Sequence, residues 1–181
     1  MRFRINTTGT EEDYLAFNYF HSLESTQGKK QVLKARIQFL LFTPAFPILL
    51  FLAVGFTSFS VRYAIYTGVY MLVYMLLFKK IARVRIRAGI RRSKKAGKLR
   101  FDPVAVFEFY EDNFVEITAA TRTEQSFAAI EKICILQGRY VYMYNSSTSA
   151  YILPIAQIRE QVNPDDFFHF LLSKCSTVEV Y

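Results

Sequence analysis

Two histidines and two cysteines, with a scatter of carboxylates, are the residues of this 181-residue chain that could hold a metal or move protons. Their spacing argues against both uses. His21 and His169 fall in separate amphipathic stretches, and no cysteine or further histidine lies near either at metal-ligand spacing. His169 sits among aromatics, where packing accounts for it. Cys134 alternates with Lys132 and Leu136 as one face of a strand does, and Cys175 closes a helix. Neither belongs to a CxxC pair or a Cys/His set. Asp165-Asp166 follow Asn163-Pro164 as the acidic first turn of a helix, and Glu111-Asp112 read as a turn. The chain contains no GxxxxGK[ST], GxGxxG, GxSxG or HExxH. The expectation is a protein that is not an enzyme and needs no cofactor or metal.

The one concentrated chemistry is electrostatic. Lys79, Lys80, Arg83, Arg85, Arg87, Arg91, Arg92, Lys94, Lys95, Lys98 and Arg100 crowd into residues 79–100 without a single acid. Residues 101–181 hold five Lys/Arg against eleven Asp/Glu, so the net charge of +8 averages unlike parts. Such a run attracts anions. Next to a membrane it contacts anionic lipid, at about 1 kcal/mol per cation, or it docks the acidic segment that follows. Nucleic acid is not expected, because interleaved aromatics and any recognised motif are missing.

The run must be positioned by what precedes it. Residues 37–56 form an uncharged stretch of twenty, IQFLLFTPAFPILLFLAVGF, about 30 Å long as a helix and so about as long as a bilayer core is thick. A second stretch, 59–78, carries only Arg62, near its outer end beside Tyr63 and Tyr66. A turn at Thr57–Ser58 makes the two an antiparallel transmembrane hairpin. Tyr66, Tyr70 and Tyr74 mark one face of the second helix. Thirty-six mostly polar residues precede the first apolar stretch, later than a cleavable signal places it, so that stretch is expected to act as an uncleaved anchor. Lys29, Lys30, Lys34 and Arg36 on one side and the basic run on the other put both termini in the cytoplasm. The cysteines then remain free thiols.

The polar parts read as one cytoplasmic unit interrupted by the hairpin. Arg2–Ile5 alternates as a short strand that can cover an edge of the C-terminal sheet. Thr10 caps a helix with Glu11, Glu12 and Asp13 in its first turn, and Gln27-Gly28 ends or bends it. From Asp102 onward, runs at 104–109, 114–118, 121–127, 130–136, 140–144 and 151–153 predict six antiparallel strands, the last stopped by Pro154. One helix, from Asn163 to about Lys174, closes the sheet. The organisation is then 1–36 strand and amphipathic helix, 37–78 hairpin, 79–100 basic juxtamembrane segment, and 101–181 β domain. The fold class is an α+β membrane protein whose small antiparallel domain has a pleckstrin-homology-like layout.

The succession of "EEDYLAFN", the hairpin, the basic stretch, "VFEFYEDNFVEI", "YVYMYNSSTSAYILP" and "DDFFHFL" resembles the YcxB-like family of bacterial membrane proteins over nearly the whole chain. Phe127 and Ile155 stand where that family often has a tryptophan and a basic residue, so no site carries over there. The resemblance implies a multi-pass protein of the bacterial cell (inner) membrane. The function expected is a membrane-anchored, non-enzymatic module whose cytoplasmic domain binds a protein or peptide. The alternatives are a lipid-headgroup sensor, or a small subunit of a transport complex built by homo-oligomerising hairpins.

Overall fold

The computed structural model describes residues 1–54, 61–97, 99 and 104–181. The expected turn at Thr57–Ser58, the cations Lys98 and Arg100, and the connection at 100–103 lie outside the described residues. The chain is a mixed α+β protein forming two compact units. One is Met1–Phe17 with Gly97–Tyr181, the other Asn18–Ala96.

The first unit holds two four-stranded sheets. Strands β1 (Phe3–Thr8), β2 (Val104–Phe109), β3 (Asn113–Thr118) and β4 (Arg122–Ser126) form one antiparallel sheet in that order. The N-terminal strand therefore does join the C-terminal sheet, with Phe3 opposite Phe109 and Ile5 opposite Phe107. The second sheet has the order β7-β6-β5-β8, built from β5 (Lys132–Leu136), β6 (Tyr140–Tyr144), β7 (Ala150–Pro154) and β8 (Val178–Val180). Paired residues share a face, so Ile133, Val141, Met143 and Leu153 form its core side. The core is aromatic. Phe109 meets Phe167 edge-on at 5.1 Å and lies over Phe114 at 5.9 Å, the offset and T-shaped geometries that ring quadrupoles favour.

On the other face of the second sheet, Phe17 of α1 (Glu11–Tyr19) packs on Tyr142 at 5.2 Å and on Tyr144 at 5.8 Å. The start of α1 is a reciprocal capping box: Thr10 Oγ1 accepts from the Asp13 N–H, and the Asp13 carboxylate accepts from the Thr10 N–H.

Three expectations need correction. Pro154 does not simply stop a strand. It ends β7 and caps α4 (Ile155–Gln161), whose Ile155 and Ile158 are buried one turn apart; a residue with φ near −65° suits both roles. The closing element is therefore two helices, α4 and α5 (Pro164–Ser173). Nor does the chain finish at that helix, because β8 pairs with β5 in parallel, Val178 opposite Ile133. The predicted third strand is shorter, giving way at Phe127–Ala129 to a turn of 3-10 helix.

In the second unit, α1 ends at Tyr19, a π-helical turn covers Phe20–Glu24, and Ser25 is extended. The break falls at Ser25 and not at Gly28. The Ser25 hydroxyl accepts from the Gly28 N–H and caps α2 (Thr26–Val54). Helix α3 (Val61–Lys95) is 35 residues long. The two are antiparallel neighbours: Phe39 stacks on Tyr74 at 3.7 Å, and Arg36 lies over Phe78 at 5.4 Å. Among the described residues, α3 is the one helix long and apolar enough to cross a membrane. Its span Ile65–Lys95 contains a stretch of mean hydropathy 1.4, none of it buried.

Candidate functional site

The structure places nine of the eleven predicted cations on α3, from Lys79 to Lys95, every one of them exposed. They are strung along roughly 24 Å of helix and do not converge on a pocket. Arg83 also forms an ion pair with Glu24 at 3.5 Å. The partly buried residues Phe78, Ala82 and Ile86 and the buried Ile90 continue at a spacing of four beyond the apolar part, with the partly buried Ile81 beside Ala82. The basic segment is thus a regular extension of the apolar helix, ending where Gly97 takes a φ of 68°.

In the first unit a cavity of about 390 Å³ opens between the start of α1, the end of β3 and the free edge of β7. Asp13 and Glu116 face it, with Thr10, Thr118, Thr121 and the Tyr14 ring, over a floor of Ala105, Ala150 and Ile152. Among the described residues no cationic side chain lines it. Both Asp13 oxygens are engaged: Tyr140 donates to one at 2.7 Å and Thr10 to the other. Burial, with that bond second, pushes the Tyr140 phenol up to about 12. The Thr118 and Thr121 hydroxyls bond each other at 2.8 Å. The walls are polar and acidic, suited to a cationic or hydrogen-bond-donating group.

The cysteines lie apart. Cys134 is fully buried on β5, and burial pushes its thiol up to about 12, so it stays protonated at neutral pH. Its Sγ donates to Glu179 of β8 at 3.7 Å, and the same carboxylate accepts from Tyr181 at 2.6 Å and from Lys132 at 3.3 Å. The Tyr181 bond first, then the Lys132 charge, hold the Glu179 carboxyl below the usual carboxylate range. This cluster fastens β8 to the sheet. His169 lines a groove beside Arg2, Asp166 and Ser173. Asn163 caps α5 by accepting from the Asp165 N–H, as its position predicts. Among the described residues, no three His, Cys, Asp or Glu side chains gather as a metal site. Sequence reasoning missed the cavity, because Asp13 and Glu116 are 103 positions apart and only the fold joins them.

No family model, no curated protein and no solved structure matches this chain.

Proposed function

We propose that this chain is a two-span integral membrane protein with both termini in the cytoplasm. Its β unit, of pleckstrin-homology-like layout and YcxB-like organisation, is a non-enzymatic module that binds a protein or peptide. The observation that carries the membrane part is the unburied apolar surface of α3. Exposed Leu40, Leu41, Phe42 and Leu49 on the adjacent α2 extend it. Apolar residues on all sides of a helix need an apolar surround. The excess of cations beside both polar ends favours cytoplasmic termini.

The partner-binding part rests on the cavity at Asp13 and Glu116, which fits a basic side chain of a bound segment. A headgroup-binding role for the same unit finds less support, because headgroup binders present cations and this cavity presents carboxylates. The test is topological. Single cysteines at residues 3, 57 and 181, in a chain without Cys134 and Cys175, are labelled by an impermeant maleimide in intact cells. Labelling at 57 alone agrees with the proposal; labelling of 3 or 181 from outside refutes it.

A further inference from the structure

We infer that the helix pair carries an acidic-phospholipid site formed by Lys34 and Arg36 of α2 with Lys79 and Lys80 of α3. The four cations Arg91, Arg92, Lys94 and Lys95 stand too far along the same helix to share in it. The inference rests on the two-span reading and deepens it by naming the ligand and dividing the basic run.

The helix register sets the level of the site. Arg36 is the last charge on α2 before its apolar run, and its guanidinium sits 5.4 Å from the Phe78 ring. Phe78 is the last residue of α3 before its own basic run begins at Lys79. Phe39 on Tyr74 fixes the same alignment one turn deeper. The apolar-to-basic boundary therefore falls at one height on both helices, as a single hydrocarbon boundary requires. Lys34, Lys79 and Lys80 are exposed within a turn of that height, inside a headgroup layer about 5–8 Å deep. Among the described residues none of the four forms an ion pair, whereas Arg83, one turn further out, is paired with Glu24. Four unneutralised cations from two helices at the phosphate level match the charge and depth of acidic headgroups.

The distal cations differ by distance. Helix α3 runs unbroken from Val61 to Lys95 without a proline, so the segment beyond Phe78 cannot fold down onto the surface. At 1.5 Å per residue, Arg91 lies about 20 Å and Lys95 about 25 Å beyond the boundary. An ordinary helix tilt of about 20° shortens this by roughly a twentieth. After the headgroup layer, more than a Debye length of about 8 Å still separates them from the phosphates.

The experiment compares two variants that each lose four charges. Full-length chain in phosphatidylcholine bilayers is probed by electron spin resonance with spin-labelled phosphatidylglycerol and spin-labelled phosphatidylcholine. The wild type should favour the acidic lipid. Lys34→Gln/Arg36→Gln/Lys79→Gln/Lys80→Gln should reduce that preference roughly fivefold or more, while Arg91→Gln/Arg92→Gln/Lys94→Gln/Lys95→Gln keeps it within about twofold. Lys34→Arg/Lys79→Arg/Lys80→Arg should behave as wild type and so separate loss of charge from loss of fold. Equal losses in the two glutamine variants, or a wild type with no preference, overturn the inference alone. Release of the wild type from membranes by alkaline carbonate overturns the two-span reading and the inference with it.

Discussion

The side-chain amide of Gln161 bonds the Asn6 backbone twice, accepting from its N–H at 2.8 Å and donating to its carbonyl at 2.8 Å. Gln157 does the same to Thr8, at 2.9 and 3.3 Å. Two glutamines four residues apart on a helix are separated by about 6 Å, and alternate residues of a strand by about 6.7 Å. The match lets α4 stand in for a neighbouring strand along β1, whose outer edge would otherwise offer unpaired N–H and carbonyl groups.

Replacing both glutamines, Gln157→Ala/Gln161→Ala, should lower stability by about 2 kcal/mol, given about 0.5 kcal/mol for each exposed hydrogen bond. The variant should also self-associate through the uncovered edge. Denaturant unfolding and sedimentation of the solubilised chain check the two effects. Unchanged stability with no new association would mean that water satisfies this edge as well as the amides do.

Much of this was legible in the sequence because the signals were local. The Asn163-Pro164-Asp165-Asp166 start of α5 and the Thr10 cap of α1 depend on neighbours within three or four positions; that Asp13 bonds back to Thr10 is added by the structure. The basic extension of α3 is a run of one charge sign, and the strands from β2 to β7 alternate between turn residues. The rest depends on contacts between distant residues. Gln157 and Gln161 look like ordinary surface glutamines until β1, some 150 positions away, is beside them. Strand β8 has three residues, too few for periodicity to show, and exists through its pairing with β5 and the Glu179 bonds. The break at Ser25 was read at Gly28 because glycine is the stronger local signal, whereas the serine hydroxyl caps the following helix.

That junction gives a second prediction. Gly28→Ala inside a helix would ordinarily gain up to about 1 kcal/mol. Here an added Cβ would lie 2.5 Å from the His21 carbonyl oxygen and 2.7 Å from the Ser22 carbonyl carbon, backbone atoms that cannot swing away. The substitution should destabilise by about 1 kcal/mol or more, read as a lower Tm. A raised Tm would show that the π-helical turn yields without cost.

The two thiols should differ in reactivity. Cys134 is fully buried and its thiol is raised to about 12 by burial, whereas Cys175 is half-buried beside the end of α5. Maleimide should modify Cys175 in the native chain and reach Cys134 only on unfolding. Mass mapping after a short exposure decides it, and modification of Cys134 at a comparable native rate would contradict its placement in the sheet.

The last prediction concerns pH and involves two strands at opposite limits. Glu179 has a folded-state pKa below its ordinary value because Tyr181 and Lys132 stabilise its ionised form. Its contribution is therefore complete above the unfolded carboxylate value near 4.3 and is lost as pH falls through the lower folded value. Tyr140 is the reverse case. Its folded pKa of about 12 exceeds the ordinary 10.0, so its contribution is complete below about 10 and is lost as pH rises through about 12. Stability should form a plateau between these limits. Glu179→Gln should make the acid side shallower, leaving the part that Glu111 contributes through its Lys174 bond, and Tyr140→Phe should make the alkaline side shallower, leaving the part that the buried Cys134 thiol contributes, while releasing Asp13 from one of its bonds. Urea midpoints measured from pH 3 to 11.5 test both. An acid limb unaltered in Glu179→Gln would show that β8 is held by its backbone ladder to β5 rather than by the carboxylate.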